Sequence, residues 1–168
     1  REIGIHINTR PQGRAIELDG VPLRRLSELI GAFNTILFTP EDLKIVKGGP
    51  AERRNLINYE MSKLRASYLA DLQKYAKVVR EKNALISADM VNMRLLEVYN
   101  TSLAKAGFAV MRAREKYICR IADKAKAVSE KLGGDEMSIR YRPNIPAESE
   151  AELFSELEQR AEREIERG

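Results

Sequence analysis

The side chains best placed to do chemistry lie between residues 38 and 60, in the run FTPEDLKIVKGGPAERRNLINYE. Four of them are cations: Lys44, Lys47, Arg53 and Arg54. Two helix starts fall in the same run. At the first, Thr39 can cap, Pro40 suits the first helical position, and Glu41 and Asp42 favour the positive end of the helix dipole. Gly48-Gly49-Pro50 then stops that helix and opens the next. The N–H groups of a helix start have no intrahelical partner, so cations beside two such starts make a phosphate-contact surface. The plainer reading is four solvated basic side chains, or cations paired with acidic neighbours such as Glu52 and Glu60.

Other catalytic chemistry is missing. There is no G-x-x-x-x-G-K-[ST] phosphate loop and no G-x-G-x-x-G. His6, the only histidine, falls on the polar side of an expected strand, with no Cys or His near it, and reads as a surface residue. No serine or cysteine has a histidine to activate it. Carboxylates are abundant, but they sit at helix-surface spacings beside Lys and Arg. The 168 residues are not expected to be an enzyme by themselves, nor to hold a cofactor or metal of their own.

The elements that must position the corner differ on its two sides. Before it, Ile3, Ile5 and Ile7 alternate with Glu2, Gly4 and His6, the period of a half-buried strand. Residues 8–13 supply a turn, residues 15–18 a second strand, and Asp19-Gly20 another turn. Residues 23–31 read as a short helix and residues 35–38 as a third strand. After the corner the pattern is helical. Leu64, Tyr68, Leu72, Tyr75, Val79 and Ile86 form one stripe, with a break expected near Arg65-Ala66-Ser67. Ser87-Ala88-Asp89 is the next turn or cap signal.

Residues 90–132 contain no Pro and one Gly, Gly107. Their stripe is Leu96, Tyr99, Leu103, Ala106, Val110, Ala113, Tyr117, Ile121, Ala125, Val128 and Leu132, the alternation of three and four of a coiled-coil seam. Such a helix is about 60 Å long, antiparallel to its shorter neighbour, and must either run beyond it or bend at Gly107. Gly133-Gly134-Asp135 stops it. Residues 137–141 (MSIRY) read as a strand. Residues 147–167 read as an acidic amphipathic helix with Phe154, Leu157, Ala161 and Ile165 on one face.

Composition agrees with long exposed helices: 32% of residues are charged and only 6% aromatic. The net charge of +4 is unevenly spread, since residues 147–168 carry eight Glu against three Arg, leaving +9 on the rest. A basic body suits nucleic acid or an acidic protein, or is simply well solvated. The single Cys119 permits no internal disulfide and fits a reducing, cytoplasmic compartment. No apolar run approaches the roughly 20 residues of a membrane helix, so no membrane partner is expected. The chain opens mid-strand by pattern and stops at Arg167-Gly168; both ends are expected to continue into something larger.

The ordered set of motifs resembles the RecF family of bacterial recombination and repair proteins. Pro40-Glu41-Asp42, Val46-Lys47-Gly48, Pro50 with Glu52-Arg53-Arg54, and the Tyr75, Arg80, Asn83 spacing each look like that family, across essentially the whole chain. The resemblance implies a fold that is α+β but mostly α, with a long antiparallel helical arm on a small antiparallel β segment of a truncated ABC-type head. Residues 1–50 would be the partial head lobe, residues 51–132 the arm or lid, and residues 133–168 a return strand and acidic helix leading back to the head.

The resemblance further implies a parent ATPase that uses ATP and Mg, forms an ATP-dependent homodimer, binds DNA, and works with RecO and RecR to load RecA at single-stranded gaps. In SMC-like relatives a glutamine before the arm senses the nucleotide's metal. No glutamine stands at the corresponding place here, where Glu41 or Asp42 would take the role or simply be helix-start acids. A rival reading makes the chain purely a protein-interaction module, binding RecR or a second copy with no DNA contact.

Overall fold

The computed structural model describes residues 3–7, 14–25, 28, 39–88 and 90–167. They form two compact units, residues 1–66 and residues 67–168. Sequence reasoning opened the arm at Ala51; the second unit begins at Ser67.

In the first unit, β1 (Ile3–Ile7) pairs antiparallel with β2 (Arg14–Leu18), which pairs antiparallel with β3 (Val21–Pro22). The register sets Ile3 opposite Leu18, Ile5 opposite Ile16 and Ile7 opposite Arg14. Asp19 and Gly20 link β2 to β3 with φ of 52° and 76°. Two positive φ values make a turn whose twist matches that of the strands it joins, and Asp-Gly tolerates it. The Leu23 N–H then donates to Ile16 O at 2.8 Å. Most of the helix expected over residues 23–31, and the strand over residues 35–38, lie outside the described residues.

A 3₁₀ turn (Pro40–Leu43) leads into the short helix α1 (Lys44–Lys47), followed by α2 (Pro50–Leu64). The expected break is present. Arg65 has φ −145° and ψ 111°, extended geometry that no helix accommodates. It takes Leu64 off the stripe of the next helix and leaves it 66% exposed.

The second unit is a three-helix packing of α3 (Ala66–Ile86), α4 (Met93–Lys131) and α5 (Glu150–Arg167). Contacts fix the directions. Tyr68 meets Arg114 and Tyr75 faces Gly107, so α3 and α4 run antiparallel. Leu153 faces Gly107 and Glu158 meets Asn100, so α5 also runs antiparallel to α4. Val78, Leu103, Ala104, Leu153 and Leu157 make the core, with Tyr75, Tyr99, Phe108 and Phe154 packed around it. Burying each of the larger aliphatic side chains contributes about 2 kcal/mol. Of the helix pairs, α4 and α5 approach most closely, where Ala104 and Gly107 keep the α4 surface low. A Cβ on Gly107 would meet Tyr75 Cε2 at 3.5 Å and Leu153 Cδ2 at 3.6 Å, ordinary van der Waals contact.

The long helix is uninterrupted through Gly107 and spans 39 residues, about 58 Å. Asn92 caps it, its Oδ1 accepting from the Leu95 N–H at 3.1 Å. Gly133 ends it with φ 69°. There the Gly133 N–H donates to Glu130 O at 3.1 Å and the Gly134 N–H to Ser129 O at 2.9 Å, satisfying two terminal carbonyls. The seam is packed as far as Ile118 and half-buried at Ile121 and Ala125. Val128 and Leu132, expected on the same seam, are exposed.

One expectation for the last part of the chain is corrected. Residues 137–141 form no ladder. They do lie along α4: Ser129 Oγ donates to Asp135 O at 3.1 Å, Lys126 Nζ is 3.9 Å from Glu136 Oε1, and Tyr141 hydrogen-bonds Arg114. Burial alternates from Ile139 to Glu148, odd positions half-buried and even ones exposed. Helices supply the covering surface, and no neighbouring strand among the described residues completes a ladder. The acidic amphipathic helix is the third helix of this unit, with Leu153, Leu157 and Ala161 buried.

Candidate nucleic-acid interface

All six residues singled out at the corner belong to the first unit. Their environments separate them. The Asp42 carboxylate closes a capping box with Thr39, its Oδ2 accepting from the Thr39 N–H at 2.6 Å and from Thr39 Oγ1 at 3.3 Å. Glu41 is exposed and has no hydrogen bond or ion pair among the described residues. Neighbouring acids in the sequence thus differ: one is tied into the helix start, the other is free.

The cations divide in the same way. Arg53 reaches back across the α1–α2 corner. Its Nη1 donates to Gly48 O at 3.0 Å and to Ile45 O at 3.3 Å, covering carbonyls left open where α1 stops. The corner is tight. A Cβ on Gly48 would stand 2.5 Å from Lys44 O, so only glycine fits. Lys44, Lys47 and Arg54 are exposed and carry no hydrogen bond or ion pair among the described residues. The acidic partners considered for them are placed otherwise: Glu60 binds Lys63 at 2.9 Å, and the Glu52 Cγ packs against Gly48. The result is three unpaired cations around a corner held by a fourth. Such a surface can contact phosphate oxygens.

Other polar groups are buried in the second unit. Tyr68, 2% exposed, accepts from Arg114 Nε at 3.2 Å. Burial pushes the Tyr68 phenol above its ordinary pKa of 10.0, with Arg114 partly opposing. Burial alone would loosen the Arg114 proton, but the phenols of Tyr68 and Tyr141 reverse this and the net direction is upward. Lys82 is buried, its Nζ 2.7 Å from Glu164 Oε2. Asn100 is fully buried and its Nδ2 donates to Glu158 Oε1. Sequence reasoning missed these pairs, although Lys82 stands three residues from Val79 and four from Ile86 on the α3 stripe. Among the described residues no group of three or more His, Cys, Asp or Glu side chains could hold a metal ion. No described helix is long and apolar enough to cross a membrane.

The comparisons with known proteins fit this architecture. No family model matches the chain. A DNA replication and repair protein RecF from Lachnoclostridium phytofermentans is 37% identical over 161 residues, 93% of this chain and 43% of the relative. One from Clostridium perfringens is 34% identical over 140 residues, 82% of this chain and 39% of the relative. The chain belongs to the RecF family. It spans less than half the length of these RecF relatives. The fold agrees as well: a solved structure of the recombination mediator protein RecF-ATPrS in the RecFOR pathway superimposes with a TM-score of 0.86 at 22% identity, over 98% of this chain and 47% of that one. The RecF segment is mostly helical with a small antiparallel sheet, as the resemblance implied.

Proposed function

We propose that this segment is the arm-bearing middle of a RecF-type DNA-repair ATPase, and that its corner contacts the phosphate backbone of DNA. Lys44, Lys47 and Arg54 provide the contact, while Arg53 holds the corner. The observation that carries the reading is that these three cations are exposed and unpaired beside a rigid, glycine-dependent corner. Electrostatic contact of this kind is insensitive to sequence and strongly dependent on salt.

ATP and Mg belong, on this reading, to the parent protein. Asp42 is committed to its cap, and among the described residues no group of three or more His, Cys, Asp or Glu side chains could hold a metal ion. Glu41 is the better of the two acids to serve as a nucleotide-sensing group in a complete head, since its carboxylate is free. The segment couples head dimerisation to the arm and works with RecO and RecR, in keeping with the RecFOR pathway named for the similar structure.

Fluorescence anisotropy with a labelled duplex tests the DNA contact. The expected result is a steep loss of affinity between 50 and 200 mM salt, with the dependence reduced by about 0.9 in logarithmic slope for each phosphate contact removed in Lys44→Ala, Lys47→Ala and Arg54→Ala. Unchanged affinity in the triple variant would remove these residues from the interface. ATP binding is expected only when the chain is extended at both ends. Binding of RecR without any affinity for DNA at low salt would instead support the protein-interaction reading. The exposed apolar side chains Met90, Met93, Leu95 and Val98 are the feature that favours that reading.

A further inference from the structure

We infer that the outer face of α4 is a second nucleic-acid backbone site, separate from the α1–α2 corner. The inference rests on the DNA-binding reading above but on different residues in a different compact unit. Leu103, Val110 and Ile118 turn into the core of the second unit. On the opposite side of the same helix Lys105, Arg112, Lys116 and Arg120 are exposed and fall within one narrow face by helical spacing. Lys105 to Arg120 covers about 22 Å of helix axis, with steps of about 6 Å between the last three cations.

Three features make this a polyanion surface. First, Lys105, Lys116 and Arg120 have no acidic partner among the described residues, and only Arg112 is paired, to Glu115 at 2.7 Å. Second, the position on this face between Lys105 and Arg112 is small and exposed, Ala109, so a backbone can approach there without steric obstruction. Third, the face has a defined end, because Asp123 and Glu130 follow on it and reverse the charge. A duplex presents a phosphate about every 1.7 Å of its axis, so a line of cations this long meets several at once whatever the base sequence.

A second copy's acidic α5 is the competing occupant, and the structure disfavours it. Four of the α5 acids already have internal partners: Glu164 binds Lys82, Glu158 binds Asn100, Glu156 binds Arg160, and Glu152 accepts from the Glu148 N–H. The exposed face of that helix also carries Arg163.

The test compares three forms of the 168-residue chain, and a charge-keeping control, by anisotropy with a labelled 30-base-pair duplex across a salt series. They are the unaltered chain, a face variant (Lys105→Gln, Arg112→Gln, Lys116→Gln, Arg120→Gln), and the corner triple variant described above. Circular dichroism melting confirms that each is folded, and a Lys105→Arg, Lys116→Arg form keeps the charge. The face variant is expected to bind at least about tenfold more weakly at moderate salt and with a shallower salt slope, while the charge-keeping form binds normally. A folded face variant that binds like the unaltered chain overturns the second site; if the corner variant is still weakened, the function reading survives. No affinity in the unaltered chain at low salt sinks both. Competition by poly-glutamate as effective as duplex at equal charge overturns the assignment to nucleic acid.

Discussion

Arg114 Nε donates to the hydroxyl of Tyr68 at 3.2 Å, joining α4 to the first turn of α3 across 46 residues of sequence. Arg114 also engages Tyr141, so one guanidinium ties both α3 and the extended segment after α4 to the long helix. Both phenols accept charge-assisted hydrogen bonds, which are stronger than neutral ones.

Tyr68→Phe removes one of these bonds and leaves a half-buried guanidinium short of an acceptor. The expected cost is about 1–2 kcal/mol, read from urea unfolding. A double cycle with Arg114→Met should show the two changes to be non-additive. Additive losses would mean that the bond contributes nothing in solution.

The same phenol sets an alkaline limit. Tyr68 has its pKa raised by burial from 10.0, so the folded state favours the neutral phenol. The stabilisation is fully present below pH 10.0 and is lost as pH rises through the higher folded-state value. A phenolate absorbance titration should therefore contain one tyrosine that ionises late, missing from Tyr68→Phe. An unchanged titration curve in that variant would show that Tyr68 ionises like an exposed residue.

Lys82 and Glu164 should respond asymmetrically. Glu164→Ala leaves a buried ammonium without its partner, whereas Lys82→Met replaces it with an apolar side chain of similar length. Glu164 is 40% exposed at its side chain, so water moderates the penalty. Glu164→Ala is expected to cost about 1–3 kcal/mol and Lys82→Met less than 1 kcal/mol. Chemical denaturation of both variants in parallel decides the order, and a larger loss for Lys82→Met would contradict it.

What could be read from the sequence, and what could not, follows from the range of each interaction. Helix starts and stops are local: Thr39 with Asp42, the extended Arg65, and Gly133 with Gly134 are specified within a few residues. The α4 stripe showed which face turns inward, because periodicity is also local. It did not show what covers that face. Val128 and Leu132 fit the seam as well as Leu103 does, yet are exposed, because partners on α3 and α5 do not extend to them. Leu153 was missed at the start of the α5 stripe for a related reason. Phe154, one residue on, has the larger apolar side chain, and only the approach of α5 to Gly107 makes Leu153 the buried one. The strand expected over residues 137–141 does not form, because a ladder depends on a neighbour that no local pattern supplies. At the corner the sequence could list four cations but not rank them, since Arg53 differs from Arg54 only in where the backbone carbonyls of α1 end.

That ranking gives the last expectation. Arg53→Ala should destabilise the first unit by about 1 kcal/mol through loss of its bonds to Ile45 O and Gly48 O. Lys44→Ala, Lys47→Ala and Arg54→Ala, all at exposed positions, should each stay within about 0.5 kcal/mol of the unaltered chain. Gly48→Ala should cost more than Arg53→Ala, because its Cβ would collide with a backbone oxygen that cannot swing aside. Hydrogen exchange over α1 and α2 reads this unit separately from the helical one. If Arg54→Ala raised exchange there as much as Arg53→Ala, the division of the cations into one that holds the corner and three that face outward would not stand.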